Sequence, residues 1–165
     1  GVLATAGTFK GRLYIETTHK YASDINVCYQ IGEGLVELVE EGDFNSRKAE
    51  ALIIRYIQPM LDCNIDQLVL GCTHYPFFKP LLRRILPPEI AIIDPAPAVA
   101  KQVARVLFDS NFYNDGTASR SCYSFYSSSN TEVLQNLVEI IQGEIGVEFK
   151  NINFFSNFIV SKNQR

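Results

Sequence analysis

The chain has 165 residues, with 15 Lys and Arg against 18 Asp and Glu and a formal net charge of −3. Apolar residues make up 47% of the sequence and charged residues 20%, which is typical of a globular chain and excludes a disordered one. The net charge leaves no basic excess to neutralise phosphates, so we expect no nucleic-acid partner. No apolar run reaches membrane-spanning length, so we expect no membrane partner either.

The four cysteines are scattered along the chain as Cys28, Cys63, Cys72 and Cys122, and no two form a Cys-x-x-Cys pair. This spacing argues against a zinc knuckle, and we expect no metal. Scattered cysteines are typical of reduced thiols in a cytoplasmic protein rather than of a disulfide scaffold. The chain starts inside an apparent strand and without Met, so we expect a piece of a longer protein.

Hydrophobic patterning in the first third predicts strands alternating with helices. A short strand over residues 2–4 runs into a turn-like cluster of small residues, 5–8, and a second strand is expected at 25–29. A short helix over 34–41 stops at Gly42. A long helix begins within 43–46 and is expected to end at about Pro59.

The same alternation continues through the rest of the chain. Strands are expected at 66–72, 90–93, 121–127 and 146–149. Helices are expected through 81–85, over 94–108 and through 133–141, and the inner face of the last consists of Val133, Leu134, Leu137 and Ile141. A loop is expected at 109–120 and an irregular tail from 151, in which burial is expected for Phe154, Phe155, Phe158 and Ile159. The pattern predicts an α/β fold with a mainly parallel sheet flanked by helices. Ligands of such folds bind outside the carboxyl ends of the strands, which indicates residues 5–8 and 72–74.

Residues 71–76 read Gly-Cys-Thr-His-Tyr-Pro. The Cys72 thiol lies where a buried strand ends and a helix is about to begin, so backbone N–H groups and the helix dipole favour its thiolate. His74 could accept or donate a proton. The alternative is that Cys72 is a small buried hydrophobe and His74 a surface turn residue. A Cys/His metal site is a weaker option, since the other histidine, His19, lies in an unrelated polar stretch.

Three further polar residues are candidates. The hydroxyls of Thr5 and Thr8 follow the first strand and suit a small carboxylate or amine, although a local βα turn would use the same residues. Glu40 ends a short helix, where a negative charge is unfavourable for the dipole. It is either a solvated charge or an acid aimed at a site.

Residues 70–76, with 2–8 upstream and 93–95 downstream, resemble the glutamate racemase family over about residues 1–150. The resemblance implies cofactor-free interconversion of L- and D-glutamate for peptidoglycan synthesis, with two thiols exchanging the Cα proton. It implies that Cys72 is the second catalytic thiol and that His74 assists it. It also implies that Thr5, Thr8, Thr73 and His74 contact the substrate. Residues 35–40 are similar to a family segment that ends in an auxiliary acid, Glu40.

The sequence departs from the family pattern in several places. Members often have Ala-Cys-Pro where this chain has Ile31-Gly32-Glu33, a proline at Glu37, and a Thr/Ser-Gly-Asp turn at 128–130. The first catalytic cysteine, in an Asn-Thr motif, and an Asp-Ser substrate loop are not found in the sequence. We therefore expect a C-terminal fragment that carries one thiol and is inactive alone.

The family architecture implies two parts. Residues 1–95 would form a complete, flavodoxin-like lobe that carries the second catalytic cysteine, and residues 96–165 would belong to a second, truncated lobe. Unpartnered elements of that lobe predict self-association as a homodimer. Two other functions stay open: a non-catalytic module that binds a small acid at Thr5, Thr8 and Cys72, and a related racemase acting on aspartate or hydantoin. His74 argues against aspartate, because aspartate racemases tend to carry Glu there.

Overall fold

The computed structural model describes residues 1–112, 122–146, 148–149 and 151–157. The chain forms two compact units, Gly1–Asp109 and Ser110–Arg165. The boundary expected from the family resemblance lies after residue 95 instead, and the assignment of 96–165 to a truncated lobe stays a prediction. No helix among the described residues is both long and apolar enough to cross a bilayer.

The first unit is built on a four-stranded sheet in which every strand pair is parallel. The strands are β1 (Val2–Ala4), β2 (Tyr29–Ile31), β3 (Gln67–Gly71) and β4 (Ala91–Ile93), in the spatial order β2-β1-β3-β4. Parallel neighbours need crossover connections, and helices supply all of them here. The α/β fold with a parallel sheet is therefore confirmed.

The helices of this unit follow the strands in turn. They are α1 (Ala6–Lys10), α2 (Arg12–Tyr21), α3 (Leu35–Glu40), α4 (Arg47–Asp62), a 3-10 helix (Tyr75–Phe78), α5 (Lys79–Ile85) and α6 (Ala96–Asp109). The α3, α4, 3-10 and α5 helices supply most of the fully buried side chains, whereas α1, α2 and α6 bury none. The core thus lies between the sheet and the α3–α5 layer. Its largest side chains are Tyr75, Phe78, Leu3, Leu35, Leu38, Ile53, Ile57, Met60, Leu68, Leu70, Leu81 and Leu82.

Several predicted elements of this unit differ from the observed ones. The small residues after β1 start a helix, not a turn, because the Thr5 side chain caps it by accepting from the Thr8 amide. Strand β2 begins at Tyr29, since its register against β1 starts with the pair Val2–Tyr29. Helix α4 continues past Pro59 to Asp62, because fully buried Met60 packs its last turn onto the core.

The expectation of reduced thiols is wrong for two of the four cysteines. Cys28 and Cys63 are joined in a disulfide, whereas Cys72 and Cys122 are free. Cys28 directly precedes β2, and Cys63 caps the end of α4. Both therefore lie at the amino end of the sheet and line a cavity of about 450 Å³ there. The 35-residue separation carries no local signal for this pairing.

The second unit contains two parallel strands, β5 (Tyr123–Tyr126) and β6 (Ile152–Phe155), and helix α7 (Glu132–Ile145). Aromatic rings stack across the strands in the pairs Phe125–Phe154 and Tyr126–Phe155. The last strand of the described part of the chain is thus at 152–155, within the expected irregular tail, and the described residues 146, 148 and 149 form no strand. Val138 of α7 is buried, whereas Ile141 is 36% exposed. Val147, Phe158 and Ile159 lie outside the described residues.

Candidate active site

The carboxyl edge of the first sheet brings several candidate residues together. The register pairs Ala4 with both Ile31 and Gly71. The next residue of each strand, Thr5, Gly32 and Cys72, therefore leaves the sheet at the same level. This is the edge at which parallel α/β sheets bind ligands.

The Thr5 and Thr8 hydroxyls form a small network at this edge. The Thr8 hydroxyl donates to the Gly71 carbonyl (3.2 Å) and lies 3.0 Å from the Thr5 hydroxyl, which accepts from the Thr8 amide (3.3 Å). Since the Thr8 proton is directed to Gly71, Thr5 must donate to Thr8. Each oxygen keeps one free lone pair. In this arrangement the pair can accept hydrogen bonds from a ligand, as an amino group would require.

Cys72, His74 and Glu40 form a second group of polar contacts. The Cys72 Sγ lies 3.8 Å from His74 Nδ1, and His74 Nε2 lies 3.4 Å from Glu40 Oε1. The His74 side chain is 25% exposed and that of Glu40 is 43% exposed. A thiol, an imidazole and a carboxylate in this order can pass a proton from sulfur to nitrogen while the carboxylate stabilises the imidazolium.

Tight packing of β1 and β3 brings these two groups close. A Cβ on Gly71 would lie 2.8 Å from Ala4 Cβ and 3.4 Å from the Leu3 carbonyl oxygen. Glycine is therefore required for the carboxyl ends of the two strands to approach this closely. The same approach lets Thr8 reach the Gly71 carbonyl, one residue before Cys72.

Thr73 is exposed and lies with Cys72 at the wall of a cavity of about 480 Å³. The cavity is mainly apolar and lies between the end of β3 and the start of α6; Leu70, Gly71, Pro76, Asp94, Pro95, Ala96, Val99 and Ala100 complete its lining. Apolar walls of this kind limit the access of water to the Cys72 thiol.

Asp94 and Tyr75 were not singled out by the sequence analysis. Asp94 accepts from the Ala96 amide and from Lys79 Nζ, each at 3.0 Å. Burial alone would raise the pKa of Asp94, but these hydrogen bonds and the Lys79 charge together hold it below its ordinary value. The Asp94-Pro95 pair marks the start of the helix expected over 94–108 and is the signal in the sequence for this contact. Tyr75 is fully buried, and its hydroxyl donates to the Gly32 carbonyl at 3.0 Å.

The described residues contain no group of three or more His, Cys, Asp or Glu side chains placed to hold a metal ion. His19 lies in the exposed last turn of α2. The arrangement is one of a thiol, its histidine, a carboxylate and two hydroxyls. It suits proton transfer to or from a small polar molecule.

Comparisons with known proteins bear on this arrangement. Residues 1–103 match the family model described as Asp/Glu/Hydantoin racemase. The chain is 40% identical to a glutamate racemase of Pseudomonas putida (strain W619) over 146 residues, which are 88% of this chain and 54% of that protein. A glutamate racemase of Pseudomonas syringae pv. tomato is 44% identical over 123 residues, 74% of this chain and 45% of that protein.

Among solved structures, glutamate racemase from Francisella tularensis in complex with D-glutamate superimposes with a TM-score of 0.77 at 28% identity. The match covers 95% of this chain and 57% of that one. The chain therefore spans about half the length of the curated relatives it matches. The family model covers well over half of the chain, with Cys72, His74, Glu40, Thr5 and Thr8 all inside it. The chain belongs to the Asp/Glu/Hydantoin racemase family.

Proposed function

We propose that this chain carries one thiol half-site of a cofactor-independent glutamate racemase, an isomerase that interconverts L- and D-glutamate for peptidoglycan and so for the cell wall. The observation that carries the proposal is the Cys72–His74–Glu40 alignment at the carboxyl edge of the sheet. The named similarity to glutamate racemases supports glutamate as the substrate.

Racemisation without a cofactor requires a base on one face of Cα and an acid on the other. On one face, the Cys72 thiolate would take the Cα proton and the resulting thiol would return it. His74 would hold or release the proton at its Nδ1, and Glu40 would stabilise the charge that His74 then carries. Hydrogen bonds to the substrate carboxylate would lower the energy of the carbanion-like transition state.

The other proposed contacts hold the substrate. The free lone pairs of Thr5 and Thr8 would accept from the amino group, and the exposed Thr73 hydroxyl and amide would donate to a carboxylate. Cys28 and Cys63 are bonded to each other, so neither is a free thiol for the opposite face. We propose that the chain exchanges the Cα proton of one enantiomer and does not racemise by itself.

Protection of Cys72 from alkylation tests the substrate and the site together. Millimolar L- or D-glutamate should slow the reaction of Cys72 with iodoacetamide at least about threefold, since a bound ligand covers the thiol. The Cys122 thiol, in the other unit, is the internal reference and should react at an unchanged rate. Equal protection by aspartate would favour the aspartate alternative, and no protection by any amino acid would contradict the proposal.

The runner-up function is a binding module that holds a small acid without chemistry. The apolar cavity beside Cys72 favours it, because apolar walls with a few polar groups are typical of binding sites. Both functions predict protection of Cys72 by glutamate. Exchange of the Cα proton for solvent deuterium separates them, since a binding module would give none.

We also propose that the chain forms a homodimer. The apolar residues Val99, Val103 and Val106 share one face of α6 and are each about half exposed, which is typical of a contact surface. Sedimentation velocity between 1 and 100 µM, on the order of typical dimer dissociation constants, should show a concentration-dependent shift to the dimer. A single monomeric species throughout would contradict this.

We propose a cytoplasmic location, where the resemblance places synthesis of cell-wall precursors. The Cys28–Cys63 disulfide argues the other way, because cytosolic proteins rarely keep disulfides. Cell fractionation followed by immunoblotting tests the location. Recovery of the protein outside the cytoplasmic fraction would overturn it.

A further inference from the structure

Two tyrosine hydroxyls anchor the short segment between β2 and α3 by its backbone. Tyr75 donates to the Gly32 carbonyl at 3.0 Å, and Tyr56 of α4 donates to the Glu33 carbonyl at 2.9 Å. The two bonds differ in environment: the first is buried, and the second is exposed to solvent. A buried hydrogen bond to a backbone carbonyl is costly to leave unmade.

Gly32 and Tyr75 pack so closely that no side chain fits at position 32. A Cβ on Gly32 would lie 2.6 Å from the Tyr75 hydroxyl oxygen and 2.7 Å from Leu35 Cδ1. Gly32 is not among the residues with positive φ, so the requirement for glycine is steric. Gly32 stands where family members often have the cysteine of Ala-Cys-Pro. Because glycine has no side chain, the Tyr75 hydroxyl can reach the Gly32 carbonyl.

This interlock joins the two elements that carry the partners of the Cys72 thiol. Tyr75 directly follows His74 and opens the 3-10 helix. Gly32 leads into α3, which ends at Glu40 and packs against the 3-10 helix. We therefore expect a displacement of Gly32 from Tyr75 to be transmitted through α3 and the 3-10 helix to the 3.4 Å separation of His74 Nε2 from Glu40 Oε1.

We propose that Tyr75, seated on Gly32, is a positioning residue that sets the Glu40–His74 contact and so the proton acceptor beside Cys72. The inference rests on the proposed function, in which Cys72 is the proton-transfer thiol. Tyr75 acts through His74 and Glu40 and touches no reacting atom. A purely structural role would require only that Tyr75 fill the core.

The Tyr75 hydroxyl keeps its proton, and so remains a hydrogen-bond donor, across the pH range of the alkylation experiment described below. Burial, followed by the negative charges near it, raises the pKa of Tyr75 above its ordinary value. The titratable or charged groups around Tyr75 and Cys72 are His74 beside the 3-10 helix, Glu37 and Glu40 of α3, Tyr56 of α4, and Asp94 ahead of α6, which lines the same cavity as Cys72 and is paired with Lys79.

The test compares Tyr75→Phe with Tyr56→Phe, which removes the other hydroxyl from the same segment. The rate of Cys72 alkylation by iodoacetamide is followed from pH 6 to pH 9, roughly the range around an ordinary thiol, by mass spectrometry of the Cys72 peptide. Tyr75→Phe should move the pH profile towards that of Glu40→Gln and change the rate at neutral pH about threefold to tenfold. Tyr56→Phe should keep the wild-type profile, and Cys122 serves as the internal reference.

Gly32→Ala provides a second, independent perturbation of the same contact. It should shift the profile in the same direction, and its effect should not add to that of Tyr75→Phe in the double variant. Two results would overturn the proposal: a Tyr75→Phe profile equal to wild type despite lowered stability, or equal shifts in Tyr56→Phe and Tyr75→Phe. Absence of glutamate exchange would instead count against the proposed function and leave this result standing.

Discussion

At the scale of single residues, the site is a set of polar groups that lie directly next to buried core residues. Cys72 and Thr73 are exposed enough to meet a ligand, while the next residue but one, Tyr75, is fully buried. His74 lies between them and contacts Glu40. Three residues thus lead from the partly exposed thiol of Cys72 to the core ring of Tyr75, and burial of Tyr75 restrains the backbone that holds His74 beside the thiol.

The buried Tyr75 phenol predicts a specific loss of stability in alkali. Its raised pKa means that the folded chain keeps the phenol proton at a pH where the unfolded chain, with a pKa of about 10, has lost it. Because the folded state then binds more protons, the free energy of unfolding should fall as pH rises above about 10, by up to about 1.4 kcal/mol per pH unit.

Denaturant titrations between pH 8 and pH 11, chosen to bracket the ordinary tyrosine pKa of about 10, measure this dependence. Tyr75→Phe should be less stable at pH 8 and should lose less stability than wild type on going to pH 11. Tyr56→Phe is the matched control and should keep the wild-type slope. An unchanged slope in Tyr75→Phe would show that another group causes the alkaline loss.

At the scale of elements, the sequence predicts best where apolar runs are long and buried. Strand β3 and the helix after it were expected from the Leu68–Leu70 run and the apolar positions 81, 82 and 85. The sequence predicts neither α1 nor α2, because α1 has only five residues and α2 is mostly polar, so neither carries a clear apolar stripe. Strand β2 was placed four residues early, since register is set by β1 rather than by the strand's own residues.

In the candidate site, too, local features can be predicted from the sequence and contacts between distant residues cannot. Cys72, His74, Thr5 and Thr8 follow strand ends and Glu40 ends a helix, so local sequence makes them candidates, whereas their proposed roles come from the resemblance to the family. The Tyr75 hydroxyl bonds to Gly32, which lies 43 residues away in sequence, so no local pattern indicates the contact. The Cys28–Cys63 disulfide is equally non-local, and the spacing of the cysteines favoured the wrong expectation.

The close approach of β1 and β3 gives a prediction about Gly71. Gly71→Ala should lower the free energy of unfolding by about 1–3 kcal/mol, because the new methyl would lie 2.8 Å from Ala4 Cβ. It should also reduce glutamate protection of Cys72, since the Thr8 contact with the Gly71 carbonyl moves with the strands.

Gly7→Ala is the matched control for this change. Its nearest neighbour would be the Thr5 hydroxyl at 3.9 Å, and it lies within helix α1. It should leave stability unchanged or raise it by about 0.5–1 kcal/mol. Equal stability of Gly71→Ala and wild type in urea titrations would contradict the packing argument.

At the scale of the whole molecule, covalent and non-covalent constraints hold opposite edges of the first sheet. The disulfide joins Cys28 to Cys63 at the amino edge, while the threonine network and the Gly32–Tyr75 interlock lie at the carboxyl edge. The disulfide is thus separate from the proposed chemistry. Its reduction should affect stability and leave the site unchanged.

Reduction of the Cys28–Cys63 disulfide tests whether it is independent of the proposed site. Dithiothreitol should lower the free energy of unfolding by about 2–4 kcal/mol, because the disulfide closes a loop of 35 residues. The Cys28→Ser/Cys63→Ser variant should match the reduced protein and not respond to dithiothreitol. Alkylation of Cys72 should proceed at the same rate in all three forms. A changed Cys72 rate on reduction would show that the two edges are coupled.

Loss of the Cα proton signal of glutamate in heavy water, followed by proton NMR, tests the central claim that Cys72 moves a proton at carbon. The chain should exchange that proton in one enantiomer, and Cys72→Ser should slow the exchange by about 10²-fold or more. His74→Gln should slow it as well. Exchange that persists in Cys72→Ser, or none in the wild-type chain when glutamate protects Cys72, would contradict the claim.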